Sequence, residues 1–161
     1  MKNPHRVSVV NHLPKRKAAK PIREAVLAAL RIFKAPAGEV TVVLSDPREL
    51  AELNQRFRGI AGTTDVLTFP APERFSGLLG DVILNWEMAE TQAKSRKVRP
   101  VDEAAMLAVH GTLHLLGFDD HSDSDRIAMV DAMNQAMRAA GLPEDSDWSS
   151  LPHGMEAPAG R

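Results

Sequence analysis

Cysteine is absent from this chain. Disulfides, thiolate zinc sites and cysteine nucleophiles are therefore excluded together. No stretch approaches the roughly 20 apolar residues of a membrane span, and the basic N-terminus lacks the apolar core of a signal peptide. These absences point to a cytoplasmic protein without a membrane partner. The nucleophile elbow G-x-S-x-G, the P-loop and the dinucleotide pattern G-x-G-x-x-G are missing too. So is His-Glu-x-x-His, in which the Glu acts as general base of a zinc protease. Gly111 follows His110 instead, and glycine cannot move a proton. That counts against a peptidase and leaves the base to come from elsewhere.

What is present is an ordinary apolar fraction, 43% of 161 residues, enough for one domain with a real core. The net charge is −1, but it is unevenly spread. Residues 1–99 hold 17 Lys and Arg against 10 Asp and Glu, and residues 100–161 hold 3 against 11. The basic part offers a surface for a polyanion, with Lys15, Arg16, Lys17, Lys94, Arg96 and Lys97 as phosphate contacts. The acidic part carries the most unusual stretch of the chain, Val101 to His121 (VDEAAMLAVHGTLHLLGFDDH).

From Ala104 to Leu116 this stretch is apolar on nearly every side, the composition of a buried central helix. It nevertheless carries His110 and His114. A spacing of i, i+4 points both imidazoles the same way, about 6 Å apart along the axis. Gly117 ends the helix, because glycine enters the left-handed cap without steric cost. The turn that follows returns Asp119, Asp120 and His121 to the same face. Two imidazoles on a rigid helix and a third donor from the turn make an open site for one zinc or similar ion, with a fourth position left for water. The plainer alternative is a pair of core histidines bonded to backbone or carboxylate. Burying both without partners would cost about 2 kcal/mol or more each, so something must satisfy them.

Along the chain, alternation and β-branching mark strands at Arg6 to Val10, Glu39 to Ser45, Asp65 to Phe69 and Asp81 to Asn85. Helices are expected from Pro21 to about Lys34, with a stripe of Ile22, Val26, Leu30 and Phe33, and from the Asp46-Pro47 start through Leu50, Leu53 and Phe57. Further helices are Trp86 to Lys97, the central one, and Ser122 to Ala140 with Ile127, Val130, Met133 and Met137 inward. Pro70 to Gly77 reads as a mobile loop. From Leu142 the chain is rich in Pro, Gly, Ser and Asp without apolar periodicity, and residues 142–161 read as a disordered tail. The expected fold is a single α+β domain over residues 1–141, a small mixed four-stranded sheet covered by about five helices.

His110 to His121 (HGTLHLLGFDDH) closely resembles the signature H-G-x-L-H-L-x-G-[YF]-D-H of the YbeY family of metal-dependent endoribonucleases. Leu53-Asn54 through Arg58 to Thr64-Asp65-Val66-Leu67-Thr68-Phe69-Pro70 is similar to that family's LN…R…TDVLSFP block, and Leu79-Gly80-Asp81-Val82-Ile83 to its LGDI block. The resemblance implies a zinc-dependent endoribonuclease specific for single-stranded RNA. It implies a role in maturing the 3′ end of small-subunit ribosomal RNA and in ribosome quality control, with the small subunit and its proteins as partners. It makes His110 and His114 metal ligands and Arg58 the functional cleft arginine. In one place the chain departs from the family. Where the family's third histidine stands, three residues after Gly117, this chain has Asp120, and a histidine follows at 121. Ungapped spacing favours Asp120 as the third ligand, and the prevalence of imidazole at zinc keeps His121 in contention. Two other functions stay open beside the nuclease. One is a ribosome-assembly or RNA-binding factor with a non-catalytic metal; the other is a zinc hydrolase of a different substrate.

Overall fold

The computed structural model describes residues 3–72 and 77–149. The elements run β1 (His5–Asn11), α1 (Lys20–Ile32), β2 (Gly38–Ser45), α2 (Pro47–Arg58), β3 (Val66–Pro70), β4 (Gly77–Asn85), α3 (Trp86–Arg96), α4 (Pro100–Leu115) and α5 (Asp123–Ala139). The sheet has the order β1-β2-β4-β3, parallel except for β3, which runs against β4. It is the mixed four-stranded sheet with five helices that the α+β reading anticipates.

Register turns the alternating residues of neighbouring strands to one side. Val7 pairs with Val40, Val42 with both Val9 and Val82, and Val66 with Leu84. Val40, Val42, Val82 and Leu84 are fully buried on this face, while Thr41, Val43 and Ile83 on the other face are half-buried. A one-residue slip would exchange the two sets, so apolar burial pins the register.

The central helix α4 is buried from Asp102 to Leu113. It packs against α1, α3, α5 and the β3–β4 side of the sheet. Its approach to the sheet is close because residue 111 is glycine. A Cβ there would stand 2.6 Å from Val82 Cγ1 and 3.0 Å from Thr68 Cγ2. The same contact accounts for the missing Glu of the protease pattern, since no side chain fits between helix and sheet at 111.

Caps agree with the sequence signals. Asp46 accepts the Glu49 N–H at 2.8 Å with Pro47 opening α2, and Ser122 accepts the Asp125 N–H at 3.0 Å to open α5. The inward stripe of α5 differs from expectation. In α5 the buried apolar side chains are Met129, Ala132, Met133, Ala136 and Met137, with Asn134 buried beside them, and Ile127 is 71% exposed. In α2 Leu50 is buried but Phe57 is 60% exposed. A helix stripe wider than one row fits more than one phase, and the neighbours choose among them.

Residues 142–149, placed by composition in a disordered tail, lie against the body instead. Trp148 is 4% exposed. Asp145 exchanges two hydrogen bonds with the Asn134 side chain, at 2.9 and 3.1 Å. Residues 150–161 of the expected tail, and 73–76 of the expected mobile loop, lie outside the described residues. No helix among the described residues is long and apolar enough to cross a membrane.

Candidate metal centre

The i, i+4 spacing on α4 brings the His110 and His114 rings edge to face, with their Nε2 atoms 3.1 Å apart. His114 Nδ1 donates to the Phe118 carbonyl at 3.1 Å. A carbonyl only accepts, so the proton of neutral His114 sits on Nδ1 and the Nε2 lone pair is left for a metal. The backbone supplies this orientation through the turn itself: Gly117 is left-handed at φ 97°, and the Phe118 N–H returns to the Leu113 carbonyl at 3.0 Å. Phe118 also packs edge-on against Phe33 at the end of α1, centroids 5.3 Å apart.

That anchored turn brings Asp120 to the histidines. Asp120 Oδ2 stands 3.8 Å from His110 Nε2 and 3.7 Å from His114 Nε2. The His121 side chain is 87% exposed, and its nearest acid is Asp119, at 4.0 Å from Nδ1. Among the described residues the cluster able to hold a metal ion is His110, His114 and Asp120, without His121. Arg126 braces the same turn from α5, donating to the Asp120 and His121 carbonyls at 3.3 and 3.4 Å.

The donor set fits zinc. With separations of 3.1, 3.7 and 3.8 Å, the three atoms share a point about 2.1 Å from each, the bond length of zinc to imidazole nitrogen or carboxylate oxygen. Two neutral imidazoles and one carboxylate are ordinary ligands for an open catalytic site.

The cluster opens into a cleft of about 870 Å³. Arg58, Val66, Leu67 and Thr68 form part of its wall, and His121, Arg126 and Met129 line it as well. Arg58 is the last residue of α2; it is exposed, and Nη1 donates to Asn54 Oδ1 at 3.3 Å. The wall from β3 is the free edge of the sheet. The Asn85 N–H bonds the Asp65 carbonyl at 2.9 Å, so the hydrogen-bonded pairs fall on residues 65, 67 and 69 of β3. Val66 and Thr68 therefore turn their main-chain groups outward along the cleft.

Sequence reasoning missed Trp148. Its ring meets His110 at 5.2 Å between centroids and the Arg96 guanidinium at 5.3 Å, and its indole N–H donates to Glu103 at 2.9 Å. Arg96 pairs with Glu103 at 3.3 Å and Asp145 at 2.8 Å, and donates to the Ser149 carbonyl at 2.7 Å. It is thus committed to holding the chain's last described residues and is not the phosphate contact its charge suggests. Burial pushes the Glu103 carboxyl above its ordinary range, against the opposing pull of the indole N–H and Arg96. Trp148 alone among Ser, Asp and Pro gives no periodicity, though a lone Trp in a polar segment is a usable signal of docking. Trp148→Ala should lower Tm by on the order of 10 °C and weaken zinc binding, because the His110 ring loses a wall. Thermal melts and zinc titration read the two effects.

Comparison with known proteins places the chain among similar sequences and folds. The family model described as Endoribonuclease YbeY matches residues 6–141. A Maricaulis maris protein named Endoribonuclease YbeY is 33% identical over 124 residues, covering 76% of this chain and 78% of its own. One of the same name from Caldicellulosiruptor saccharolyticus is 35% identical over 138 residues, 77% of this chain and 87% of its own. The solution structure of a Thermotoga maritima protein superposes with a TM-score of 0.58 at 26% identity, covering 84% of this chain and 89% of that one.

Proposed function

The chain belongs to the YbeY endoribonuclease family, and on that premise we propose a zinc-dependent nuclease that cuts single-stranded RNA. Its activity is that of a metal-dependent endoribonuclease. We assign its physiological substrate as the 3′ end of small-subunit ribosomal RNA, reached on the small subunit with its proteins, and its compartment as the cytoplasm. Ribosome quality control is part of the same role. The observation that carries the reading is the convergence of His110, His114 and Asp120 at the mouth of a cleft that Arg58 also lines.

Bound by those three side chains, one zinc ion would supply Lewis acidity toward a phosphoryl oxygen and lower the pKa of water. The chain's own residues do the rest. His114 is held in the metal-binding tautomer by the Phe118 carbonyl. Arg58 presents a planar, permanently charged fork to the negative charge that develops on the phosphoryl oxygens. The outward main-chain groups of Val66 and Thr68 give the strand something to lie along. His121 stands at the rim, where an imidazole can accept or return a proton.

Purified protein assayed on single-stranded RNA with and without chelator tests the reading. Cleavage that disappears with chelator and returns with zinc supports it. RNA binding without cleavage would favour the assembly-factor alternative, and hydrolysis of another substrate class would favour the third. Arg58→Ala should lower cleavage by about 10²-fold or more, with zinc content and Tm unchanged, since Arg58 is exposed and makes one long hydrogen bond. Loss of zinc in that variant would show that its part is structural.

A further inference from the structure

With five Phe, two Trp and no Tyr in the chain, an aromatic ring left in water stands out. Among the described residues Phe57 is the one exposed aromatic, at 60%. It does not hang loose. The Phe69 ring of β3 meets it nearly at right angles, 72°, with centroids 5.3 Å apart, so the exposed ring is held in place. The Arg56 guanidinium lies 5.8 Å from its centroid. Arg58 follows Phe57 on α2, and Leu67 shares the Phe69 face of β3 by strand alternation; both line the cleft of the metal cluster. The pair therefore stands on the α2–β3 rim of that cleft, flanked by Arg56 and Arg58.

We propose that Phe57, backed by Phe69, is a base-stacking subsite for one unpaired nucleotide of the RNA strand entering the cleft, with Arg56 meeting its phosphate. An apolar side chain of a protein partner would leave the flanking guanidinium groups without anions. A nucleotide within a strand supplies a flat π-face for the ring, and the phosphates on its two sides supply an anion for each cation. Stacking is available to any base but only when that base is unpaired, since in a duplex its faces are already covered. The subsite would thus make the enzyme select single strands without selecting a sequence. This inference rests on the nuclease reading above and adds a strand-recognition element to it.

The test is single-turnover cleavage of an end-labelled mixed-sequence RNA decamer by the zinc-loaded protein, with anisotropy reading its binding. Phe57→Ala should raise the half-saturating protein concentration about tenfold, within what one stacked base contributes, and leave the limiting rate within about twofold. Phe57→Trp should behave as the unsubstituted protein. Phe57→Leu, which keeps apolar bulk but no π-face, should behave as Phe57→Ala. Replacing the decamer's nucleotides one at a time by abasic residues should reveal one position costing about tenfold with the unsubstituted protein and nothing with Phe57→Ala. Equal affinities for the Leu variant and the unsubstituted protein, or identical abasic profiles in both proteins, would overturn the subsite. An unsubstituted protein that binds the decamer without cutting it counts against the nuclease reading instead, and anisotropy then still reads the Phe57 effect.

Discussion

Asp120→Ala is expected to strip the protein of zinc and of cleavage together, while His121→Ala keeps its zinc. The loss should exceed the roughly 10–100-fold that removing an outer-shell partner costs a metal site, because a donor atom itself is removed. The reason lies in the turn. The Phe118–Phe33 contact and the two hydrogen bonds from Arg126 hold Asp120 with its carboxylate 3.7 and 3.8 Å from the imidazole nitrogens. The His121 side chain, 87% exposed, is turned to water. Asp120→His, which writes the family's own signature into the chain, should retain zinc. With one negative charge fewer beside the ion, water there is a stronger acid, and the optimum of cleavage should move to lower pH. Metal analysis after dialysis and a pH–rate profile decide the matter. Zinc lost in His121→Ala and kept in Asp120→Ala would reverse the assignment.

Gly111→Glu should yield no soluble folded protein, although it would complete the zinc-protease pattern His-Glu-x-x-His. The Cβ alone would lie 2.6 Å from Val82 Cγ1, and valine has no flexible end with which to give way. Overpacking of that kind costs about 1–3 kcal/mol, so Gly111→Ala should fold with Tm lowered by roughly 2–12 °C. Glutamate adds a carboxylate between helix and sheet, and desolvation adds several kcal/mol more. The sum approaches the whole stability of an ordinary domain, about 5–15 kcal/mol. Val82→Ala should partly rescue Gly111→Ala, a non-additivity expected only if the two side chains collide. A well-folded Gly111→Glu protein would refute the steric account of why this helix carries no general base. On the steric account, a proton acceptor for the reaction comes from the rim of the cleft, where His121 stands.

The sequence alone determined the features set by spacing within one element. Strand alternation and β-branching marked all four strands, short by one to four residues at some ends, because a strand's two faces differ by its own period. The i, i+4 pair put His110 and His114 on one side of α4 before any packing was known, since helix geometry is local. Gly117 announced the turn by the same logic. Tertiary structure decided whatever depended on surfaces brought from elsewhere in the chain. Whether Asp120 or His121 faces the imidazoles follows from Phe33, some 85 residues upstream of Phe118, and from Arg126. The inward row of α5 was settled by the shapes it meets, which moved Ile127 out and Met129 in. Arg96, one more cation by sequence, became the anchor of residues 145–149 because Glu103 was already buried beneath it. Trp148 came to rest against His110 by the same contact. An irregular segment has no period to reveal its inner face, so only the groove that receives it can select the side chain that is buried.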